Sequence, residues 1–271
     1  MQTAQFQLHA DIEDRHWWFV ARRRIMSCLA AEIVPPSPRS LVIDVGCGTG
    51  ANVAALADLY DCAGIDTSAE AIELARRRFS QVRFINGRAP DDLGDLISQA
   101  RLILLMDVLE HVEDDFLFLS RLLAATAEGC HVLLTVPADQ SLWSAHDEAF
   151  GHYRRYDKGR LEMLWSGLPV APLLLSYFNS RLLPVIRAVR AWNQRRHRAA
   201  GQAGTDFWMP NRIANSLLTR TLAGESRRLV AALRGKSRGY PAGASLVAIL
   251  RRESGAIIAR EKPADIGRDH V

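Results

Sequence analysis

No apolar run in this chain is long enough to cross a bilayer: "LILLM" and "VAPLLLSYF" reach about half of the roughly 20 residues that a spanning helix needs. The opening stretch "MQTAQFQLHADIEDRHWWF" lacks the basic start, apolar middle and small-residue cleavage site of a secretory signal, so a cytoplasmic protein is expected. Cysteine is sparse. Cys28, Cys47, Cys62 and Cys130 form no CxxC pair, and the expectation is buried, reduced thiols. No stretch repeats with a period of roughly 20 to 50 residues, which excludes a solenoid, and no low-complexity tract occurs.

What is present is chain enough for a substantial core, since a domain of 271 residues buries roughly three quarters of its unfolded surface. The net charge of +4 conceals a division: residues 1–150 hold 12 basic against 22 acidic side chains, and residues 151–271 hold 22 against 8. A basic second half suggests an anionic partner such as a phosphorylated substrate, a nucleic acid or a membrane surface, unless the charge only solvates the surface.

Five apolar runs read as strands: "SLVIDVG" (40–46), "DCAGIDT" (61–67), "VRFING" (82–87), "ARLILLMDV" (100–108) and "CHVLLTVPA" (130–138). Helices are expected over 51–60, over 68–79 with Ser68 as N-cap, and over 114–126. Continuous apolar strands separated by helices imply a parallel sheet covered on both faces. Beyond residue 139 the pattern loosens. Residues 141–156 read as loop, 157–168 as a helix capped by Asp157, 169–179 as a sixth strand, 180–200 and 210–234 as helices around a glycine-containing linker, and 244–253 as a final strand. The expected organisation is one α/β domain over 1–255, with an N-terminal helical lid (1–39), a helical insertion (180–240) and a disordered tail (256–271).

The stretch "DVGCGTG" (44–50) lies between the first strand and the first helix of the sheet. Its glycines permit positive φ and close ligand approach, and the helix behind them offers oriented N–H groups. Asp66 ends the second strand about 20 residues on, where folds of this kind grip a ribose diol. "NGRAP" follows the third strand and "MDVLEHV" the fourth, so all these loops fall at the carboxyl edge of the sheet, where open α/β folds bind ligands.

In that order, "DVGCGTG", "GID" and "MDVLEHV" resemble the class I S-adenosylmethionine-dependent methyltransferases, over residues 16 to about 180 and the final strand. The branch that contains ubiquinone-pathway O-methyltransferases and bacterial glycan, lipid and secondary-metabolite methyltransferases is the most similar. The resemblance implies a Rossmann-like seven-stranded sheet, mostly parallel with an antiparallel last strand, plus a helical insertion before that strand. It implies that Gly46, Gly48 and Gly50 line the methionine part of S-adenosylmethionine, with Asp44 on its amino group. It places Asp66 on the ribose hydroxyls, Thr67, Arg88 and Ala89 around the adenine, and Met106 and Asp107 along the cofactor. Many relatives have Asp where this chain has Arg88.

Methyl transfer requires a positioned acceptor and removal of its proton. His111 is the first candidate base, and its alternative roles are orienting Glu110 or capping a helix. His146 and His152, in a loop beside the acceptor pocket, are further candidates, and Tyr153, Arg154, Arg155 and Tyr156 suggest an anion-binding face there. Asp107, Glu110 and His111, joined by His146 or His152, also have the spacing of a hard-ligand set, but no metal site is assigned.

Residues 180–198 form a basic amphipathic stretch suited to packing on the domain, to covering a lipidic pocket or to lying on the inner membrane face. A small-molecule or lipid-linked acceptor, in some forms phosphate-bearing, is the expected partner. A nucleic-acid methyltransferase and a non-catalytic cofactor-binding partner are the alternatives. Neither an Asn/Asp-Pro-Pro-aromatic motif nor a Pro-Cys pair supports the nucleic-acid reading, and a homodimer stays open. "HWWFVARRR" (16–24) precedes the first strand. In relatives that helix folds over the cofactor edge, so Trp17, Trp18 and Phe19 read as a lid and Arg22 as the partner of the cofactor's carboxylate.

Overall fold

The computed structural model describes residues 3–195 and 207–263. Part of the expected linker and half of the expected tail, residues 264–271, lie outside the described residues, while 256–263 run without regular structure. The apolar runs become β1 (Ser37–Val45), β2 (Tyr60–Asp66), β3 (Arg83–Asn86), β4 (Ala100–Met106), β5 (His131–Pro137), β6 (Val170–Phe178) and β7 (Ser245–Arg252). They form one sheet in the order β3-β2-β1-β4-β5-β7-β6. The first five are parallel, and β7 runs antiparallel to both of its neighbours. The order reverses between β1 and β4, and the crevice at that point is where such a sheet receives ligands.

The helices are α1 (Thr3–Ile12), α2 (Trp17–Ile33), α3 (Ala51–Ala54), α4 (Ala69–Arg78), α5 (Leu96–Gln99), α6 (Asp115–Ala125), α7 (Ala145–Phe150), α8 (Lys158–Met163), α9 (Leu183–Arg195), α10 (Arg212–Ala223) and α11 (Ser226–Leu233). Side chains alternate across the strands into two cores. Val42, Leu102, Leu133 and Ile249 pack with Ile25 and Leu29 of α2, Ile72 of α4, Leu222 of α10 and Leu229 of α11. Ile43, Ile103, Leu134 and Leu250 pack with Phe116 and Leu119 of α6 and Leu161 of α8. The N-terminal helix and the late helices thus share one face of the sheet.

Ser68, Asp114 and Asp157 cap their helices through N–H groups three residues on, as such side chains do. Three expectations need correction. The helix expected over 51–60 stops at Ala54, because Tyr60 is drawn into the core, pairs with Ser37 and donates its hydroxyl to the Val34 carbonyl at 2.7 Å. The single helix expected over 210–234 breaks before Glu225, whose buried carboxylate accepts from the Ser180 and Arg181 N–H groups at 2.9 and 2.8 Å. The expected loop 141–156 contains α7, held by a capping box between Ser144 and Asp147 and ended by Gly151 in the left-handed region at φ 68°.

Candidate functional site

At the carboxyl ends of β1, β2 and β4, beneath α2, lies a cavity of about 1190 Å³. The glycine loop forms part of its wall. Gly46 has φ 72°, and a Cβ there would come within 2.7 Å of Val108, so both backbone and space demand glycine. Gly50 does not line the cavity: a Cβ on it would meet Phe84 at 2.6 Å, so packing, not ligand contact, requires that glycine. Asp66 lies over the loop, accepting from the Gly48 N–H at 2.9 Å and the Ser68 N–H at 2.8 Å. A carboxylate has about four acceptor positions, so roughly two remain. Thr67, Arg88, Ala89, Met106 and Asp107 line the same cavity.

Asp44, at the end of β1, is fully buried behind Val45 and Gly46, and neither of its oxygens has a hydrogen-bond partner. Desolvation pushes its carboxyl up to about 8, against the pull of Arg22. Arg22 is also buried and forms an ion pair with Asp107, which in turn accepts from Thr135 Oγ1 at 3.0 Å. The Nε of Arg22 has no partner. Desolvation lowers the guanidinium to about 10, and the Asp44 charge works against that fall. A carboxyl group and a guanidinium, each with buried atoms left unsatisfied, thus stand at the glycine loop.

The corner between α1 and α2 closes over this wall. Glu13 accepts from Thr49 Oγ1 at 2.7 Å and forms an ion pair with Arg78. His16 caps α2 by accepting the Trp18 N–H, while its Nε2 meets the Trp208 carbonyl at 3.1 Å. Trp17 donates its N–H to Asn215 of α10 at 2.9 Å, and Trp18 stacks on Phe178 with ring centres 6.0 Å apart. Trp17, Trp18, Phe19 and Arg22 all face the cavity.

Five of the six described histidines line it: His9, His16, His111, His146 and His152. Desolvation lowers His9 to about 4 and His111 and His146 to about 3, which keeps these rings neutral near pH 7. His111 also hydrogen-bonds the Phe150 backbone, tying the turn after β4 to α7. The His152 ring has a carboxylate partner, its Nδ1 lying 3.0 Å from Asp147 Oδ1. Burial opposes ionisation of Asp147, but the His152 hydrogen bond and the Arg155 and Arg190 charges hold it well below the usual carboxylate range. An ionised carboxylate only accepts, so His152 donates from Nδ1 and leaves Nε2 as the basic nitrogen. Glu110, His111 and His152 bring one donor atom each within 4.8 Å of one another. Asp107, the acid that sequence spacing adds to them, is engaged with Arg22.

The anion-binding face expected at 153–156 is not formed. Arg154 is buried and donates to the Val112 and Glu113 carbonyls; Arg155 is buried against Asp147 and the Ala138 carbonyl; the Tyr156 hydroxyl donates to Asp115 at 2.8 Å. These groups pin the loop. Glu13, His9, His16 and Asn179 are site residues that sequence reasoning missed, and no local spacing marks them. Asp147, beside His146 in the sequence, carries the Ser144-x-x-Asp147 spacing of a capping box before Gly151.

A family model described as a methyltransferase domain matches residues 19–199. Among solved structures, the fold is similar to that of the methyltransferase partner in a Haloferax volcanii complex with the Trm112 activator, with 17% identity, 93% of this chain and 95% of that chain covered and a TM-score of 0.57. It is similar to the plantazolicin methyltransferase BpumL in complex with SAH, with 14% identity, 93% and 90% covered and a TM-score of 0.56. It is also similar to the [4+2]-cyclase SpnF, with 16% identity, 86% and 81% covered and a TM-score of 0.53.

Proposed function

The chain belongs to the methyltransferase-domain family, and on that premise we propose that it transfers a methyl group from S-adenosylmethionine to a hydroxyl of a small-molecule or lipid-linked acceptor, with His152 as base. The observation that carries the cofactor assignment is the pair of unsatisfied buried groups at the glycine loop. A zwitterionic amino acid fits it: the ammonium against Asp44, directly or through water, and the carboxylate against Arg22 Nε. The free acceptor positions of Asp66 suit a ribose diol, and Thr67, Arg88 and Ala89 border the adenine position. When bound, the cofactor supplies an activated methyl group on sulfur.

This chain's own residues then have three tasks. The glycine loop and Asp66 fix the cofactor's orientation, which is the largest requirement of a displacement reaction. Trp17, Trp18 and Phe19 exclude water. His152 takes the acceptor's proton on Nε2, held in the correct tautomer by Asp147. His111, first candidate by sequence, holds a proton too weakly for that task near neutral pH and serves to position α7. Glu110, lifted to about 8 chiefly by burial, is protonated at pH 7 and can donate a hydrogen bond to the acceptor. The buried Oδ1 of Asn179, without a partner at the cavity wall, is a second acceptor contact.

Arg22→Ala is expected to weaken binding of S-adenosylhomocysteine by about tenfold or more. Titration calorimetry checks it, with a melting curve to show a folded chain, and unchanged affinity would count against the role of Arg22. Turnover after exhaustive chelation tests the use of Glu110, His111 and His152: retained activity assigns them to proton handling, whereas loss restored by a divalent ion assigns them to metal binding. Cofactor binding with no transfer to any acceptor would favour a non-catalytic partner, and salt-sensitive oligonucleotide binding would favour a nucleic-acid substrate.

A further inference from the structure

A surface helix ordinarily buries its apolar stripe and leaves charge in water. Helix α9 buries Leu183 and packs Ile186 against the core, but it keeps a second apolar strip in water. Here Val185 and Val189 are 58% and 47% exposed, with Ala188 exposed between them, while Arg190 points inward to within 3.6 Å of Asp147. The exposed apolar surface continues beyond α9. Trp208 precedes α10 and is 63% exposed, and Ile213 and Leu217, one turn apart on α10, are 83% and 65% exposed. Val185, Val189 and Trp208 also line the cavity described above, so this surface is the rim of its mouth.

The helices at that rim carry basic side chains and no acid of their own. Arg187 pairs with Asp139 at 2.9 Å and Arg190 turns inward, while Arg212 and Arg220 of α10 stand exposed. Apolar side chains and an exposed indole among arginines are the composition of a surface that enters the headgroup region of an anionic membrane. A second copy of the chain is a poorer occupant, because a two-fold interface would set the basic rim against itself.

We propose that the α9–α10 rim docks on an anionic lipid bilayer, so that the cavity opens onto the membrane surface and takes a lipid-anchored acceptor by its headgroup. The acceptor rests on the methyltransferase reading above; the docking does not.

The test is flotation of the full chain with vesicles of phosphatidylcholine plus phosphatidylglycerol, and with phosphatidylcholine alone. The chain is expected to float with the anionic vesicles, to be released by salt, and to show tryptophan quenching by brominated lipid. Ile213→Glu with Leu217→Glu, two positions in water and outside the cavity wall, is expected to lower the bound fraction about tenfold. Its affinity for S-adenosylhomocysteine is expected to stay unchanged, which also shows that the variant is folded. The inference falls if the wild-type chain binds S-adenosylhomocysteine but floats with neither vesicle. It falls equally if the double variant floats like wild type, or if sedimentation shows a dimer that the double variant abolishes. A wild-type chain that floats but binds no S-adenosylhomocysteine would overturn the methyltransferase reading and leave the docking standing.

Discussion

His152→Ala is expected to lower transfer of labelled methyl from S-adenosylmethionine to a lipid-extract acceptor pool by roughly 10²- to 10⁴-fold, the usual worth of a positioned base. Affinity for S-adenosylhomocysteine is expected to stay within about twofold, because on this reading Asp66, Asp44 and the glycine loop hold the cofactor and His152 does not. The two readouts together separate a base from a packing residue. His152 sits against the His111 ring, with centres 4.7 Å apart, so its loss also removes contacts. His152→Gln restores much of that volume, and it is expected to regain melting temperature without regaining turnover. If His152→Gln transfers methyl at the wild-type rate, His152 is not the base.

Asp44→Asn is expected to weaken S-adenosylmethionine binding on the order of 100-fold, the scale for removing one member of a buried charge pair. The same change acts in the opposite direction on the ligand-free chain. The folded carboxyl titrates at about 8 against an ordinary value of 3.8, so between those values the folded chain holds a proton that the unfolded chain has released. Stability of the wild-type chain therefore declines as pH rises from about 4 to about 8. The variant lacks that part of the decline. Its melting temperature is expected to exceed that of the wild type at about pH 9, and the gap is expected to close on acidification. Cofactor binding should also expel the Asp44 proton. Calorimetry at about pH 6.5 in buffers of different ionisation enthalpy should register release of nearly one proton from the wild type and none from the variant.

These predictions rest on parts of the site that differ in how readily the sequence discloses them. The glycine loop, Asp66 and the acid before the first glycine are local features: short segments whose spacing is set by a strand, a turn and a helix start. Their positions follow from periodicity and turn chemistry. The strands were legible for the same reason, since each is a continuous apolar run. The histidine cluster was legible only in part: His111, His146 and His152 were expected at the acceptor pocket, but His9 and His16 were not. His9, His16, His111, His146 and His152 come from four separate segments, and only the packing of α1 and α7 around the cavity makes them neighbours. The fates of Arg154 and Arg155 were equally hidden, because a buried arginine bonded to carbonyls and a solvent-facing one are the same letter. Asp147 was half visible: its capping role could be read from Ser144, but its hold on His152, Arg155 and Arg190 is tertiary.

The place of β7 in the sheet has a consequence for how the chain is made. The strand nearest the C-terminus of the fold lies between β5 and β6, and both ladders it forms are with strands synthesised earlier. Until residues 245–252 leave the ribosome, β6 has no ladder partner and β5 has one open edge. The nascent chain thus carries the apolar segment "VAPLLLSYF" through the synthesis of more than 60 further residues before its hydrogen bonds can close. Exposed strand edges of that kind are what chaperones cover and what aggregates recruit.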